Sequence, residues 1–276
     1  MKKILVTGSS GFIGMHLSEA LLRDGIKVHG IDNMNGYYDV ALKESRLKTL
    51  MRYKNFSFEK TDISHYDKLK DTFKNFRPNM VVNLAAQAGV RYSLENPQAY
   101  INSNVMGFIN ILECCRHSKV EGLIYASSSS VYGGNEKIPF SVNDEVNRPI
   151  SIYAASKKSN ELMAYTYSHL YGLNSTGLRF FTVYGPWGRP DMAMYIFLNN
   201  IRNGNEIKVF NHGKMQRDFT YIDDIVSGIK ASIEKNYSCE IFNLGNNISE
   251  NLMDMISIIE EYLNKKAKIK YLGMQL

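Results

Sequence analysis

Apolar positions follow two different patterns along the first two thirds of the chain. Short apolar runs such as KKILVTG and MVVNLAA are typical of buried strands, whereas FIGMHLSEALLRDG and HYDKLKDTFKNF repeat apolar residues at helical spacing. Further strand-like runs occur at KVHGID, FSFEKTDI, GLIYASSS and STGLRFFTVYG. Strands that alternate with helices predict an α/β fold, a doubly wound parallel sheet of the Rossmann type with helices on both faces.

The alternation becomes less regular from about Gly185. A loop is predicted at GPWGRPDM, followed by helices at AMYIFLNNIRNG, YIDDIVSGIKASI and NLMDMISIIEEYLNK and by strands near IKVF and EIFNLG. We expect some of these elements to rejoin the sheet. The others are predicted to form a smaller C-terminal substrate-binding cap over its carboxyl edge, where open α/β sheets bind ligands.

Composition narrows the possible functions. The 276 residues are 44% hydrophobic and 22% charged, which suits one large or two moderate globular domains. The net charge is +6, but lysine and arginine are scattered, which favours an anionic metabolite over nucleic acid. Cys114, Cys115 and Cys239 form no disulfide framework, and His117 beside the first pair has no second ligand pair, so no metal is predicted. Without a membrane span or a signal-peptide core, the protein is expected to be cytoplasmic.

A glycine-rich turn joins the first predicted strand to the first predicted helix. Its residues Gly8, Gly11, Phe12, Ile13 and Gly14 have the spacing G-x-x-G-x-x-G. Glycine lets the backbone turn tightly and approach a diphosphate, and the helix N-terminus offers free N–H groups to it. A glycine triplet alone could be a structural turn, but here it stands between a strand and a helix.

An acidic residue closes the second strand and strengthens the prediction of a dinucleotide site. Asp32 could bind both ribose hydroxyls and would repel a 2′-phosphate, and Asn33 rather than arginine follows it, which favours NAD over NADP. Asp62 and Ile63 end the third strand and could hold adenine. The predicted domains are therefore an NAD-binding Rossmann domain at 1–184, to which later strands return, and a substrate-binding region at 185–276.

The segment YAASK places Tyr153 and Lys157 on one face of a predicted helix. Tyrosine ionises near pH 10 in water, so a phenol that acts as a base near neutral pH needs a stabilising cation such as this ammonium group. A surface tyrosine and lysine are the alternative reading. The serines of ASSSSVYGG, at the end of the fifth strand, could hydrogen-bond a reacting oxygen and favour the catalytic reading.

Taken together, these motifs resemble the extended short-chain dehydrogenase/reductases, and within them the nucleotide-sugar epimerases and dehydratases. The similar segments include GSSGFIG, TDI, ASSSSVYG, YAASK and RDFTYIDD, and they span essentially the whole chain. AAQAGVRYSLENP and RFFTVYGPWGRPDMA look like UDP-glucuronate 4-epimerases in particular.

The resemblance implies roles for individual residues. Tyr153 would be the catalytic base, Lys157 its tuning cation and a ribose contact, and Ser128 the active serine. Further cofactor contacts would come from Leu84, Ala85, Ala86, Asn104 and Tyr184. The sugar carboxylate and the diphosphate would be bound by Ser127, Ser129, Ser130, Thr182, Arg189 and Arg217.

The implied reaction is epimerisation of a UDP-sugar at C4. Tyr153 would take the C4 proton while hydride passes to resident NAD, and the 4-keto sugar would turn before hydride returns. The implied product of UDP-glucuronate is UDP-galacturonate, for surface polysaccharide. A decarboxylase or another UDP-sugar 4-epimerase are alternatives; serines where dehydratases usually carry an Asp-Glu pair argue against dehydration.

Two further expectations concern the chain as a whole. Relatives usually continue for some tens of residues beyond AKIKYLGMQ, so the substrate-binding region is expected to be truncated, and an inactive NAD-binding protein of the same fold is another alternative. Relatives also pair the helices near Val105 and Tyr153. Met106, Phe108, Leu162 and Met163 give these helices apolar residues on more than one face, so a homodimer is predicted.

Overall fold

The computed structural model describes residues 2–274. The chain divides into two compact units. The first unit comprises Met1–Phe181 and Ile222–Leu244, and the second comprises Thr182–Tyr221 and Gly245–Leu276. The chain therefore leaves the first unit after Phe181, three residues before the boundary predicted at 184, and then returns to it. The ligand that each unit binds stays a prediction.

Helices and strands alternate through most of the chain. As far as Phe180 the elements are β1 (Lys3–Thr7), α1 (Phe12–Arg23), β2 (Lys27–Asp32), α2 (Val40–Leu50), β3 (Phe56–Lys60), α3 (Tyr66–Phe76), β4 (Met80–Asn83), α4 (Tyr92–Glu95), α5 (Pro97–Tyr100), a π-helical segment (Ile101–Met106), α6 (Gly107–Ser118), β5 (Gly122–Ser128), a 3₁₀ turn (Ser129–Tyr132), α7 (Ile152–Tyr171) and β6 (Ser175–Phe180). Beyond Phe180 they are β7 (Thr182–Tyr184), α8 (Ala193–Arg202), β8 (Glu206–Val209), a second 3₁₀ turn (Asn211–Gly213), β9 (Gln216–Arg217), β10 (Phe219–Tyr221), α9 (Ile222–Lys235), β11 (Cys239–Leu244), β12 (Glu250–Asn251), α10 (Leu252–Leu263) and β13 (Lys268–Tyr271).

A parallel sheet of seven strands forms the centre of the first unit, in the order β11-β6-β5-β4-β1-β2-β3. The predicted α/β class and Rossmann-type sheet are thereby confirmed. β1 and β4 are apolar and buried because both faces of the sheet are covered, as the continuous apolar runs predicted. The direction of the strand order reverses between β1 and β4, so a ligand site is expected at the carboxyl ends of these strands.

One predicted strand is divided in two. STGLRFFTVYG reads as continuous, but β6 ends at Phe180 and β7 belongs to a separate pair with β10. The amide of Phe181 still donates to Leu244, at the end of β11, whereas the amide of Thr182 donates to Asp218. The chain therefore changes its hydrogen-bond partner between these two residues, which composition alone does not reveal. The prediction of a single strand was wrong here.

The second unit has its own apolar core. Helices α8 and α10 pack together over the parallel pair β8-β13 and bury a common set of side chains, Phe197, Ile201, Ile207, Val209, Leu252, Met255, Ile256 and Ile259. Within residues 2–274 no helix is both long enough and apolar enough to span a bilayer.

Candidate active site

The predicted glycine turn lies at the carboxyl end of β1. Gly8 has a φ of +69°, and a Cβ there would approach the amide nitrogen of Ala85 to 2.8 Å. A Cβ on Gly14 would lie only 2.1 Å from the carbonyl oxygen of Gly8. The residue that precedes α1, Gly11, has no side chain to cap the helix, so the first-turn amides are left for a ligand. The turn is therefore a cradle of backbone amides, which we call the glycine cradle, with the chemistry to bind an anion. Side chains at Gly8 or Gly14 would collide with the backbone there.

Asp32 lies beside this cradle at the end of β2. Its carboxylate is 8% exposed and accepts hydrogen bonds from the amides of Ser10, at 3.2 Å, and Met34, at 2.9 Å. Burial raises the pKa of Asp32, against the opposing effect of these amides and of Lys43 and Arg46. The structure thus places a hydrogen-bond acceptor next to the cradle, as a ribose would require.

Asp62 and Ile63 follow β3, at the same carboxyl edge of the sheet as Asp32. Burial acts to raise the pKa of Asp62, but hydrogen bonds from Asn33 and Ser64 outweigh it and hold the pKa below its usual value. A Cβ on Gly107 would meet the side chain of Ile63 at 2.6 Å, so this turn packs tightly on α6. Asn33 therefore joins the two turns that were predicted to hold the adenosine.

Two buried cations near this site were missed by the sequence reasoning. Arg46 is fully buried in α2, and its Nη1 donates to the Tyr38 hydroxyl at 2.6 Å and to the Ser10 carbonyl at 3.3 Å. Lys43 donates to the backbone and side-chain oxygens of Asn35, both at 2.8 Å. Lys43, Arg46 and Leu50 occupy positions i, i+3 and i+7 on the buried face of α2. Charged residues at helix positions that are normally apolar were the sequence feature that could have revealed these buried cations.

The YAASK segment forms the first turns of α7. Ser151 caps the helix by accepting a hydrogen bond from the amide of Ala154 at 3.1 Å, which puts half-buried Tyr153 at the positive end of the helix dipole. Lys157 lies one turn later, is 3% exposed, and donates through Nζ to the Ala126 carbonyl at 2.9 Å. Burial lowers the pKa of Lys157 to about 8.

The serines at the end of β5 have different surroundings. Ser128 accepts a hydrogen bond from the amide of Ser130 and donates to its hydroxyl, both at 3.2 Å, and so caps the 3₁₀ turn. Ser129 and Ser130 are half-buried in that turn. Ser127 points the other way along the pleat, is 2% exposed and donates to Glu161 at 2.7 Å. Because α7 packs on β5 and on the 3₁₀ turn, Ser128 and Tyr153 lie on neighbouring elements.

Asn104 in the π-helical segment supports the site indirectly. Its side-chain oxygen accepts from the Gln87 amide at 2.8 Å, and its nitrogen donates at 3.0 Å to the Gln87 carbonyl and to the Ser156 hydroxyl. The side chain of Asn160 donates to the backbone carbonyl of Asn104 at 2.7 Å. Asn104 thus joins α7 to the loop after Ala86. Sequence reasoning did not find its partners, since their identity depends on contacts between distant segments.

Leu84, Ala85 and Ala86 follow β4 in the first unit. The other predicted site residues, Thr182, Tyr184, Arg189 and Arg217, lie in the second unit. The amide of Thr182 and the ring of Tyr184 belong to the β7-β10 pair, where Tyr184 packs edge-on against Tyr221 at 5.4 Å. Arg189 makes a bidentate ion pair with Asp191, with contacts of 3.0 and 2.5 Å. Arg217 is exposed in β9 and donates to the Gln216 carbonyl at 2.7 Å. Of the two arginines predicted to bind anions, Arg189 therefore lies in the loop between β7 and α8, and Arg217 in the short strand β9.

The model of the NAD dependent epimerase/dehydratase family matches residues 4–245, which include the cradle, Asp32, the serines and Tyr153. The chain belongs to this family. It is an NAD-dependent epimerase, and its cofactor is NAD.

Relatives and solved structures agree with this assignment. An uncharacterized protein of Methanocaldococcus jannaschii is 57% identical over 99% of this chain and 85% of its own length. UDP-glucuronate 4-epimerase 2 of Arabidopsis thaliana is 49% identical over 96% of this chain and 65% of its own length. The crystal structure of UDP-glucuronic acid 4-epimerase from Bacillus cereus, with UDP-glucuronic acid and NAD, has 36% identity and a TM-score of 0.92 over 99% of this chain and 86% of that chain.

The first unit of this epimerase fits a dinucleotide on its own geometry. Beside the glycine cradle, the hydroxyls of Ser10 and Thr61 are buried and have no hydrogen-bond partner among the described residues. Both residues adjoin Asp32, since the amide of Ser10 donates to its carboxylate and the amide of Thr61 to its carbonyl. Buried hydroxyls without partners are rare, and a polar ligand at this point would satisfy them.

Proposed function

We propose that the protein interconverts UDP-glucuronate and UDP-galacturonate by epimerisation at C4. The observation that carries this proposal is the arrangement of Ser128, Tyr153 and Lys157 on the packed elements β5 and α7. Such an arrangement serves proton transfer to and from a sugar hydroxyl. The similarity to UDP-glucuronate 4-epimerases over nearly the whole chain supports the choice of a hexuronic acid.

Tyr153 acts as the general base and acid at the C4 hydroxyl. Its phenolate is stabilised by the positive end of α7 and by the ammonium group of Lys157. Lys157 carries a pKa lowered to about 8 because it is buried, so an adjacent phenolate would also restore its charged form. Ser128 donates a hydrogen bond to the same sugar oxygen and keeps it within reach of the phenol.

The chemistry that bound NAD supplies is reversible hydride acceptance at C4, which leaves a 4-keto sugar between the two steps. The glycine cradle, with Gly8, Gly11, Phe12, Ile13 and Gly14, would bind the diphosphate of NAD. Asp32 and Asn33 would hold a ribose, and Asp62 with Ile63 the adenine. Leu84, Ala85, Ala86 and Tyr184 complete the proposed cofactor contacts, with Asn104 in support.

The sugar carboxylate and the UDP diphosphate require cations and hydroxyl donors. Ser129, Ser130, Thr182 and Arg189 are proposed to bind the carboxylate, and the fork of Arg217 to bind the diphosphate. Ser127 was predicted to bind the carboxylate as well. Its hydroxyl is buried and donates to Glu161, so we propose a structural role for Ser127 instead. We further propose that these contacts hold the carboxylate in an orientation that is poor for loss of carbon dioxide from the 4-keto acid.

A homodimer is proposed from the outer face of α7 and the π-helical segment before α6. Leu162 and Tyr165 are 58% and 65% exposed along one stripe of α7, and Met106 is 52% exposed. Of the other residues named from the sequence, Phe108 is buried in the core and Met163 packs against it. A stripe of this kind on a long helix favours pairing with a second copy.

We further propose that the UDP-galacturonate product serves surface polysaccharide synthesis, because a nucleotide-activated sugar is a donor for glycosyl transfer.

The proposal is tested by incubating the purified protein with UDP-glucuronate and following the sugar by proton NMR. UDP-galacturonate is the expected product, and Tyr153→Phe should lower its rate by about 10²–10⁴-fold, with bound NAD retained. Formation of a UDP-pentose would show decarboxylation and contradict the proposal. A protein that retains NAD and converts no UDP-glucuronate would contradict it as well.

A further inference from the structure

A buried ion pair lies behind the serine turn. Arg179 of β6 and Glu161 of α7 are each 2% exposed and contact each other through two parallel bonds, Nε–Oε1 at 2.9 Å and Nη2–Oε2 at 3.0 Å. Removing two charges from water has a penalty that about cancels their attraction, so a pair of this kind adds little stability. Its presence in this position therefore calls for another reason.

The pair belongs to a row of polar side chains that crosses three strands. Ser127, Arg179 and Asn243 are direct neighbours in the registers of β5, β6 and β11. Ser127 donates to Glu161 at 2.7 Å, Arg179 donates to the hydroxyl of Tyr132 at 2.9 Å, and that hydroxyl donates to Asn243 at 2.7 Å. We call these five residues the polar row.

The charges within the polar row are stable. Burial acts to raise the pKa of Glu161, but hydrogen bonds from Arg179 and Ser127 outweigh it and lower the pKa. Burial acts to lower the pKa of Arg179, but its bonds to Glu161 and Tyr132 raise the pKa above the ordinary value. The pair is therefore a fixed connection between two elements and not a proton carrier.

Three members of the polar row adjoin elements that carry proposed catalytic groups. Glu161 follows Lys157 by four residues and Tyr153 by eight, so all three lie along one side of α7. Ser127 immediately precedes Ser128, and Tyr132 ends the 3₁₀ turn that follows. The row therefore restrains α7 both about and along its own axis relative to the end of β5.

We propose that the polar row is a positioning device, in which Glu161 and Arg179 hold Tyr153 and Lys157 of α7 at the working distance from Ser128 of β5. Proton transfer needs heavy atoms about 2.6–3.2 Å apart, and a displacement of about 1 Å can lower a rate by about 10²-fold. The inference rests on the proposed function for its kinetic test. Glu161 and Arg179 are positioning residues and do not touch the substrate in this proposal.

The test replaces the ion pair by an apolar pair of similar length, in the double variant Glu161→Met/Arg179→Met of the NAD-loaded protein. Replacing both charges is often neutral for stability. Ser127 and Lys158 also donate to Glu161 and lose this acceptor, so the free energy of unfolding should fall by no more than about 1–3 kcal/mol. We expect kcat with UDP-glucuronate to fall by at least about 30-fold, while KM stays within about threefold, because binding groups are untouched. A double variant that turns over within about threefold of the wild-type rate would overturn the proposal.

A second readout does not depend on turnover. Tyrosinate absorbance is titrated against pH, and the difference between each protein and its Tyr153→Phe counterpart isolates Tyr153. If Lys157 is displaced from Tyr153, the midpoint should rise by at least about one pH unit in the double variant. An unchanged midpoint would overturn the positioning role. Wild-type protein without epimerase activity would overturn the proposed function alone, and this titration would still decide the inference.

Ser127→Ala is the variant to use if the double variant does not fold, because it removes one hydroxyl and leaves the ion pair intact. We expect kcat to fall by about three- to tenfold with KM unchanged. Thr72→Val is the matched control, since Thr72 of α3 is also buried and its hydroxyl donates to a glutamate, Glu59, at 3.0 Å. Equal losses in both variants would mean that the polar row contributes only to stability, and the proposal would fail.

Discussion

Replacement of Lys157 by methionine should raise the stability of the protein near neutral pH and abolish its proposed catalytic role. Lys157 is 3% exposed, and its ammonium group donates a hydrogen bond to the Ala126 carbonyl at 2.9 Å. Burial of this charge is disfavoured, and it lowers the pKa from 10.5 to about 8. Methionine has a similar length and no charge to bury.

The size of the effect follows from the pKa. A difference of about 2.5 pH units corresponds to about 3 kcal/mol of destabilisation whenever the lysine is charged in both states. The variant loses the hydrogen bond to Ala126 and leaves a carbonyl without its donor, which costs about 1–3 kcal/mol. The net gain in the free energy of unfolding near pH 7 should therefore be about 0–2 kcal/mol.

The pH dependence is a sharper test, because its sign does not depend on the hydrogen-bond term. Below the folded-state pKa of about 8, both folded and unfolded states are protonated and the full penalty applies. Between about 8 and 10.5 the unfolded state binds more protons, so wild-type stability rises relative to the variant. Above 10.5 the penalty has gone and the wild type should be the more stable protein.

Urea unfolding of both proteins at several pH values from 7 to about 10.5, at one NAD concentration, measures this difference. The same pair should be compared in a Tyr153→Phe background, where the phenol cannot ionise and couple to the lysine. A stability difference that stays constant over this range would refute the reasoning, since it would mean that the buried ammonium is not disfavoured.

Three further predictions concern the cradle, the serine turn and the dimer. Gly14→Ala should lower the NAD retained per chain at least about tenfold, because its Cβ would lie 2.1 Å from a carbonyl oxygen. Gly134→Ala should retain NAD, because among the described residues only its own chain neighbours come within 4 Å of the added Cβ. Ser128→Ala should lower kcat about 10²-fold, as measured by NMR, with little change in bound NAD. Leu162→Glu combined with Tyr165→Glu should halve the mass measured by light scattering, and an unchanged mass would place the contact elsewhere.

Much of the first unit could be predicted because its signals are local. Gly14 is required by a backbone contact within the turn, Gly8 by its positive φ, and Ser151 caps the helix that carries Tyr153. Strands buried on both faces are recognisable as continuous apolar runs. The return of β11 to the sheet was expected only in general terms, since a short strand does not indicate its neighbours.

The serine run shows where a local pattern stops being sufficient. Successive strand residues point to opposite faces, so Ser127 and Ser128 had to differ, but four identical residues do not indicate which one is covered by a helix. The register of β5 with β6 decides it, because Arg179 is the direct neighbour of Ser127 and brings Glu161 to the same face. That pairing joins residues 52 positions apart and leaves no trace in the serine segment.

The inner side of α7 shows why stability and turnover can be separated in this protein. A helix that packs on a sheet normally buries apolar residues, but α7 buries Lys157 and Glu161 one turn apart. The first is disfavoured by burial, and the second is balanced by Arg179 without a net gain. Since neither charge stabilises the fold, both are explained best by the task of Tyr153. Lys157→Met, or Glu161→Met together with Arg179→Met, should therefore reduce the turnover by far more than it reduces the stability of the fold.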